Sequence, residues 1–227
     1  MQEAPRPAPA AADPRLTARN ELAGRALRVL SRGLLHRLNN TLAVFSSHAQ
    51  MLEIEADGEA SGAALSRDAS ALRSAVEGSQ GAVDVVEQLL REPERMSVCL
   101  GTCLRKLTDV LLLERDGVRF AIELKAAPHV FTSAPGAAVV ILAVLLLDAL
   151  MGVATSPATI GVDVRARGNG EAEVVLGLRH PAGRLPFRVK VAQPSVDLLE
   201  FARRNGILLA VHEDPGAYWL GLPASSS

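Results

Sequence analysis

The chain has 227 residues, of which 48% are hydrophobic and 22% charged, a composition that is ordinary for a soluble globular protein with a sizeable core. The formal net charge of -1 gives no overall field that would attract nucleic acid or an anionic membrane, so we expect neither as a partner. The two cysteines, Cys99 and Cys103, form no disulfide framework and no zinc-ligand set, and we expect both to be reduced core residues.

The two segments that bear on location are the N-terminus and the most apolar stretch. Residues 1–14 are rich in alanine and proline and lack the cationic start and apolar run of a signal peptide, which predicts a disordered tail. Residues 137–153 are strongly apolar but contain Asp148, and they fall short of the roughly 20 residues that cross a bilayer. The sequence therefore predicts a cytoplasmic protein.

A helical period runs from about Pro14 to Glu55. At about 100° per residue, one group of side chains lies within roughly 40° of a single line and predicts the buried face: Leu27, Leu34, Leu38, Thr41, Phe45 and Leu52. His36 lies about 140–200° from these residues, so we expect its imidazole to face water or a partner. A mostly polar set shares its side of the helix, with one exposed apolar residue: Arg25, Val29, Arg32, Asn40, Ala43, Ser47 and Gln50.

Residues 57–62 supply turn chemistry, and a second helix follows from Leu65 to Leu90. Its inward candidates alternate by four and three residues, which is a heptad pattern: Leu65, Ala69, Leu72, Val76, Ser79, Val83, Val86 and Leu90. The two helices predict an antiparallel hairpin over residues 15–93, which buries too little surface alone. We therefore expect two copies to form a homodimeric four-helix bundle.

Pro93 marks a boundary, and residues 96–223 predict a second domain. Its predicted elements are a helix at 98–115, a strand from Val118 to Leu124, a helix at 136–153, strands at 159–166 and 172–179 around the turn Gly168-Asn169-Gly170, a strand near 187–192, a helix at 195–204, and strands at 206–212 and 217–222. This order predicts an α/β sandwich with helices on one face of the sheet, and an α+β class for the whole chain.

The run Leu-His-Arg-Leu-Asn-Asn-Thr-Leu at 35–42 resembles the histidine-containing box of bacterial sensor histidine kinases. The second domain resembles their ATP-binding domain in layout: residues 139–150 are similar to its asparagine-containing helix, and residues 206–223 to its terminal hairpin. The resemblance covers about residues 20–223 and implies that His36 is a phosphoacceptor. Asn40 lies one turn after His36, at the position where related kinases have a polar residue that orients water, and the resemblance implies the same role for Asn40.

Several positions depart from that family's pattern. Arg37 stands where the kinases have the acidic base, and a cation cannot accept a proton. Asp148 matches the asparagine that holds magnesium, an ambiguous change because a carboxylate also ligates magnesium or can simply pair. Arg179 and Pro181 fall in the segment that replaces the adenine-binding Asp-x-Gly-x-Gly motif, and residues 186–197 contain no glycine where the kinases have a glycine-rich lid. We therefore expect ATP binding to be lost and no cofactor to be held.

A retained histidine beside a degenerate nucleotide domain resembles the dimeric histidine phosphotransferases of phosphorelays. The resemblance implies phosphoryl transfer through His36 between aspartates of receiver domains, in response regulators or hybrid histidine kinases, with magnesium supplied by the receiver and no autokinase activity. The expected docking surface comprises Val29, Arg32, Arg37, Asn39, Ala43 and Ser47. Two alternatives stay open: a non-catalytic dimeric scaffold that binds a response regulator, and a divergent ATP-dependent histidine kinase.

Overall fold

Two long helices precede a mixed sheet that is covered by shorter helices. The computed structural model describes residues 14–56, 62–90, 97–111, 114–115, 118–154, 158–179, 190–212 and 216–225. The elements are α1 (Pro14–Ala56), α2 (Gly62–Leu90), β1 (Val98–Cys99), α3 (Leu100–Val110), β2 (Glu114–Arg115), β3 (Val118–Arg119), β4 (Ala121–Ala126), β5 (Phe131–Thr132), α4 (Gly136–Val153), β6 (Thr159–Ala166), β7 (Ala172–Arg179), α5 (Val196–Arg204), β8 (Leu208–His212) and β9 (Ala217–Leu222). The fold is α+β, which confirms the predicted class.

The main sheet has five strands in the order β4-β6-β7-β9-β8. β4 and β6 are parallel, and the other neighbouring pairs are antiparallel. Alternation along β6 buries Ile160, Val162 and Val164 under the helices, while Asp163 and Arg165 lie on the opposite face. One face of the sheet therefore carries the core, and the other carries charged side chains.

The turn between β6 and β7 is a tight hairpin, which confirms the prediction for Gly168-Asn169-Gly170. The N–H of Gly170 donates to the carbonyl of Arg167 at 3.1 Å, and the N–H of Glu171 donates to the side-chain oxygen of Asn169 at 3.2 Å. Gly170 has φ 81°, a left-handed conformation that glycine adopts without steric cost. This segment is therefore a chain reversal and not a phosphate loop.

α4 matches its predicted bounds and forms the centre of the molecule. It packs against β7 and against α1, α2, α3 and α5, so its side chains are buried on nearly every side. Among the described helices it is the one long and apolar enough to cross a membrane by length and composition, yet 72% of it is buried inside the structure. A helix that is hydrophobic all round is expected at such a position, because every face meets another element.

The buried face of α1 differs from the predicted one. Leu22, Ala26 and Leu30 are fully buried, whereas Leu38 and Phe45, which were expected in the core, are exposed. The N-terminal half of α1 packs against α4 as well as α2, and this second contact turns the buried face toward smaller residues that the apolar stripe does not include. In a single chain, the predicted stripe is therefore buried only in part, at Leu27 and Leu34.

The buried face of α2 is offset from the predicted heptad positions. Ala82, Val85 and Leu89 are buried, whereas Val76 and Val83 are exposed. The side chains of Leu65 and Leu90 lie outside the described residues. Within one chain, Val76 and Val83 therefore lie outside the core, while the heptad positions Leu72, Ser79 and Val86 are half-buried.

Several predicted bounds also change. The strand predicted from Val118 to Leu124 is divided into β3 and β4, and the strand predicted at 206–212 begins at Leu208. The helix predicted over 98–115 is shorter, because Val98 and Cys99 form β1 opposite β5, and Leu111 is extended with ψ 126°. Cys99 is consequently half-buried at a strand end, while Cys103 is buried on α3. Of the strand predicted near 187–192, residues 190–192 are described and are not a strand. The predictions for residues 1–13 and 57–61 lie outside the described residues.

The hairpin and the sheet region share one hydrophobic core. Leu22, Leu30, Val85 and Leu89 belong to the same cluster of buried side chains as the residues of α4. The Lys106 ammonium of α3 also donates to the carboxylate of Asp84 on α2 at 2.6 Å. The chain boundary near Pro93 is therefore not a boundary between two separate cores.

Candidate functional site

The imidazole of His36 is exposed on α1 and contacts a single turn of the same helix. Its ring nitrogen Nε2 lies 3.1 Å from the amide nitrogen Nδ2 of Asn40. An amide nitrogen donates and does not accept, so Nε2 accepts this hydrogen bond and the neutral ring carries its proton on Nδ1. The lone pair of Nε2 therefore lies at the protein surface, where the Asn40 amide is its hydrogen-bond donor.

A groove of about 390 Å³ borders His36. It is lined by α1 around His36 and Asn40, by small residues of α2 such as Ala75 and Gly78, and by the end of α3 at residues 109–111. We call this feature the groove. The helical spacing around His36 predicted the residues of α1 that line the groove. No local sequence pattern predicted the lining residues of α3, because only tertiary packing brings α3 next to α1.

Arg37 joins α1 to the end of α3. Its guanidinium Nη2 donates to the carbonyl oxygen of Asp109, one of the last carbonyls of α3 and therefore without a partner inside that helix. The side chain crosses Gly78 so closely that a Cβ at that position would lie 3.1 Å from Arg37 Nη1. Arg37 was expected on the docking surface; the structure places it partly buried in the groove, where its charge stabilises the C-terminal end of α3.

Two hydroxyls connect α1 and α2 beside the groove. Thr41 Oγ1 lies 2.8 Å from Ser79 Oγ and 3.0 Å from the carbonyl oxygen of Arg37. Ser79 Oγ also lies 3.1 Å from the carbonyl oxygen of Ala75. This small polar network satisfies the half-buried hydroxyls and fixes the distance between the two helices at the level of His36.

The other residues expected on the docking surface divide into two groups. Arg32, Asn39, Ala43 and Ser47 are exposed on α1 and remain accessible to a partner. Val29 was expected to be exposed, but it is half-buried and packs against the hydrophobic core. The accessible polar surface therefore surrounds His36 without this apolar residue.

Two other described histidines, His48 and His212, have side-chain partners of their own. His48 Nδ1 lies 2.9 Å from a carboxylate oxygen of Asp68, which is a buried side chain of α2. The ring of His212 meets Trp219 edge to face, with centroids 6.4 Å apart. These contacts are structural, as the sequence predicted for both histidines.

Two positions bear on whether this chain could hold a nucleotide with magnesium. The carboxylate of Asp148 on α4 lies 3.2 Å from Arg115 Nη1, which also donates to the backbone carbonyl of Asp148 at 3.0 Å. Arg179 donates to Glu123 and Asp163 at 3.0 and 2.6 Å, across the sheet face that is opposite to α4. Asp148 and Arg179 therefore do not line a common site, and a magnesium ion at Asp148 would compete with a fixed guanidinium.

The lid segment lies partly outside the described residues, at 180–189. Within the part of the chain that the structure describes, no group of three or more His, Cys, Asp and Glu residues is arranged to hold a metal ion.

No family model matches the sequence, and the search of curated proteins finds no match. Among solved structures, the chain is similar to a bacterial phosphotransferase at 13% identity and a TM-score of 0.38, over 85% of this chain and 94% of that one. It is similar to the Acinetobacter baumannii histidine kinase AdeS at 9% identity and 0.46, over 84% and 98%. A histidine kinase domain from an Erythrobacter litoralis blue-light activated kinase gives 11% and 0.44, over 90% and 95%.

Proposed function

We propose that this protein is a histidine phosphotransferase of a bacterial phosphorelay, which passes phosphoryl groups between the aspartates of receiver domains through His36. The observation that carries the proposal is the exposed imidazole whose Nε2 accepts a hydrogen bond from Asn40. A nitrogen that carries a lone pair at an accessible surface is the requirement for nucleophilic attack on phosphorus.

The proposed transfer balances without a base on this chain. The Nε2 lone pair forms the bond to phosphorus, and the bond from phosphorus to the receiver's aspartate oxygen breaks with its electron pair leaving on the carboxylate. The proton on Nδ1 stays in place. In the second step a carboxylate oxygen of another receiver attacks phosphorus, and the electron pair of the N–P bond returns to Nε2. Because no net proton moves, Arg37 is compatible with this reaction in the position of a carboxylate base.

Transfer of this kind depends mainly on in-line positioning. The receiver brings the aspartate and its divalent cation, and this chain presents the imidazole on a helix that is fixed to α2 by Thr41 and to α3 by Arg37. The exposed side chains around His36, namely Arg32, Asn39, Ala43 and Ser47, would contact the receiver. Arg32 gives the surface next to His36 an exposed cation, which suits a partner with an acidic site.

The proposal assigns no nucleotide and no autokinase activity to this chain, and it places the protein in the cytoplasm, where receiver domains act. Two contacts support the proposed absence of a nucleotide. Arg115 is hydrogen-bonded to the carboxylate of Asp148, and Arg179 is hydrogen-bonded to Asp163 on the face of the sheet opposite to α4. Neither group is free to contact a phosphate chain or an adenine on the covered side of the sheet.

We also propose that two copies associate through the hairpin. The exposed apolar side chains of α1 recur at intervals of three and four residues (Leu35, Leu38, Leu42 and Phe45), and Val76 and Val83 on α2 are one heptad apart. Leu42 is 65% exposed and Val76 50% exposed in a single chain, and a second copy of the same hairpin would cover both. The α1 set lies about 100–180° from His36 around the helix, so the association leaves His36 accessible.

The decisive experiment compares two phosphoryl sources. Receiver domains from the source organism are labelled with ³²P-acetyl phosphate, and the full chain is incubated with each of them and, separately, with labelled ATP and magnesium. We expect label on the wild-type chain from at least one receiver and none from ATP. His36→Ala should remove the label, and the exposed control His212→Ala should retain it.

Other outcomes would contradict the proposal. Label from ATP that depends on His36 would identify a histidine kinase. Absence of label from every receiver, with stable binding of a receiver in a pull-down with purified domains, would identify a non-catalytic scaffold. Label that persists in His36→Ala would move the phosphoacceptor to another residue.

A further inference from the structure

Three exposed arginines lie on α1 on the N-terminal side of His36. Arg25, Arg28 and Arg32 are about 16, 12 and 6 Å from His36 along the helix axis. At about 100° per residue, all three lie within about 80° of His36 around the helix, so they share its solvent-exposed side. We call these three residues the arginine strip.

The positive charge of the arginine strip is not balanced within α1. From Leu22 to Leu52, α1 contains four arginines and no aspartate or glutamate. Because the formal charge of the whole chain is -1, this concentration of one sign is a local feature. Like charges spaced by three and four residues destabilise a helix, and a partner that neutralises them would remove that cost.

The other described parts of the chain do not neutralise the arginine strip either. Glu114 and Asp148 line a cavity together with the strip, but Glu114 is paired with Arg119 and Asp148 with Arg115. No carboxylate among the described residues lies within 4.0 Å of a guanidinium nitrogen of the strip. The strip is therefore open to an acidic partner from outside the chain.

The size of a folded domain indicates which partner would reach the arginine strip. A domain of about 100 residues has a radius of gyration of about 13 Å, so a domain bound at His36 also covers helix surface about 6–16 Å away. In the proposed function that domain is a receiver. Guanidinium groups pair with carboxylates in a bidentate geometry and stay charged at every physiological pH. The strip therefore complements an acidic surface on a receiver that is bound at His36.

We propose that the arginine strip docks an acidic patch of the receiver, outside the receiver's own phosphorylation site, and selects receivers that carry such a patch. The inference rests on the proposed function and adds Arg25 and Arg28 to the surface that a receiver contacts. Exposed charges of this kind mainly accelerate the encounter and orient the partner. Because Arg25 and Arg28 are about 12–16 Å from His36 along the helix, they act on binding and not on bond formation at phosphorus.

The test measures phosphoryl transfer to the full chain as a function of the concentration of a phosphorylated receiver. Arg25→Gln with Arg28→Gln should raise KM about fivefold to tenfold at low ionic strength and change kcat by less than about twofold. The difference in KM from the wild type should shrink as salt is raised, because salt screens exposed charges. The charge-matched control, Lys190→Gln with Arg203→Gln, removes two exposed cations before and on α5 and should change KM by less than about twofold.

A binding measurement separates docking from phosphoryl transfer. In a calorimetric titration, the His36→Ala chain should bind the unphosphorylated receiver about fivefold to tenfold more weakly when Arg25→Gln and Arg28→Gln are added. Circular dichroism and light scattering establish that each variant keeps its fold and its association state. Transfer with no effect of the strip substitutions on KM or affinity, or with an equal effect of the control pair, would overturn this inference and leave the proposed function intact.

The remaining outcomes separate the inference from the proposed function. Receiver binding that depends on Arg25 and Arg28, without transfer of label, would support the docking surface and contradict the relay. Absence of both binding and transfer with every receiver would overturn the two together. Binding to phosphatidylglycerol vesicles that depends on the same two arginines, in place of receiver binding, would assign the strip to a membrane surface and overturn the inference.

Discussion

At His36, the amide of Asn40 is a hydrogen-bond partner of Nε2, the nitrogen proposed to attack phosphorus. The amide can donate to Nε2, whereas a carboxylate at the same position could only accept. Asn40 is therefore a positioning residue for the proposed nucleophile. Replacing its amide donor by a carboxylate acceptor distinguishes this role from a purely structural one.

We predict that Asn40→Ala slows phosphoryl transfer from a receiver about threefold to tenfold, because one orienting hydrogen bond is lost. Asn40→Asp should slow transfer by more than about tenfold, because the carboxylate draws the proton onto Nε2, the nitrogen that attacks. Transfer rates and the ¹⁵N NMR signals of the imidazole, which distinguish the tautomers, check both expectations.

Ser46→Asp provides the control, since it adds the same charge to an exposed position of α1 away from His36. It should leave transfer close to the wild-type rate. An Asn40→Asp protein with a wild-type rate and an unprotonated Nε2 would show that Asn40 does not set the tautomer.

The ion pair between Asp84 and Lys106 predicts a pH dependence. The hydrogen bond from Lys106 holds the pKa of the Asp84 carboxyl below its usual range. A carboxyl with a lowered pKa contributes its full stabilisation above the usual value of about 3.9, and the contribution disappears as the pH falls through the lowered value. Asp84→Asn should therefore destabilise the protein near neutral pH and have less effect below about pH 3.

Urea unfolding of the wild type and Asp84→Asn at several pH values measures this effect. Lys106→Met, which removes the partner, should reproduce the same convergence at low pH. Parallel stability curves over the whole range would contradict a role for the Asp84 charge.

Between elements, Arg37 and Gly78 provide a link that spans α1, α2 and α3. A methyl group at Gly78 would crowd Arg37 Nη1, whereas a methyl group at Gly81 on the same helix meets no atom within 4 Å. Alanine favours an α-helix over glycine by up to about 1 kcal/mol, so the two glycines form a matched pair.

We predict that Gly81→Ala raises the free energy of unfolding by about 0.5–1 kcal/mol. Gly78→Ala should gain about 1 kcal/mol less, because it displaces Arg37 from the carbonyl of Asp109. In an Arg37→Ala background the two glycine substitutions should become equally stabilising. Chemical denaturation of the four variants measures this cycle, and an unchanged difference in that background would show that Arg37 is not what Gly78 accommodates.

The exposed apolar face of the hairpin predicts association of two chains. Leu42→Glu should convert a dimer into a species with the monomer mass of 23.9 kDa, because the substitution buries an unpaired charge in the interface. Light scattering coupled to size-exclusion chromatography measures the mass. Leu208→Glu, at an exposed residue of the sheet edge, should leave the dimer intact. A wild-type chain that is monomeric at every concentration tested would remove the second copy from the proposal.

Local sequence signals predicted the elements well where the pattern of apolar residues is regular, either alternating or continuous. The alternating strands β6 and β7 and the continuously apolar α4 lie within their predicted bounds. The bounds of α1 were also predicted, but part of its buried face was missed, because Ala23 and Ala26 give weak apolar signals and yet allow close approach to neighbouring helices. The site follows the same division: the spacing around His36 was readable, whereas the contacts of Arg37 with Asp109 and of Arg115 with Asp148 arise only from tertiary packing.

For the whole molecule, the shared core predicts that the hairpin and the sheet region unfold together. Leu30 of α1 is 0% exposed and lies in the same buried cluster as α4. Leu30→Ala should cost about 2–5 kcal/mol and lower the midpoint of a single transition. Far-UV circular dichroism follows the helices, and fluorescence of Trp219, the only tryptophan, follows the sheet.

The two probes should give coincident curves for both the wild type and Leu30→Ala. Leu199→Ala, at a 40% exposed residue of α5, should cost less than about 1 kcal/mol. Two separated transitions, with the tryptophan signal unaffected by Leu30→Ala, would show that the hairpin unfolds independently.

The common interior of α1, α2 and α4 also restricts large movements. Swinging the sheet region away from the hairpin would expose Leu22, Leu30, Val85 and Leu89 to water, at about 25 cal/mol for every Å² of apolar surface. The His36 imidazole therefore lies on a rigid part of the protein. In the proposed relay, the receiver domain is the component that moves. The rate of phosphoryl transfer would then depend on how often phosphorylated and unphosphorylated receivers bind this protein and how quickly they dissociate. The cellular concentrations of the receivers would therefore control the direction and speed of signalling.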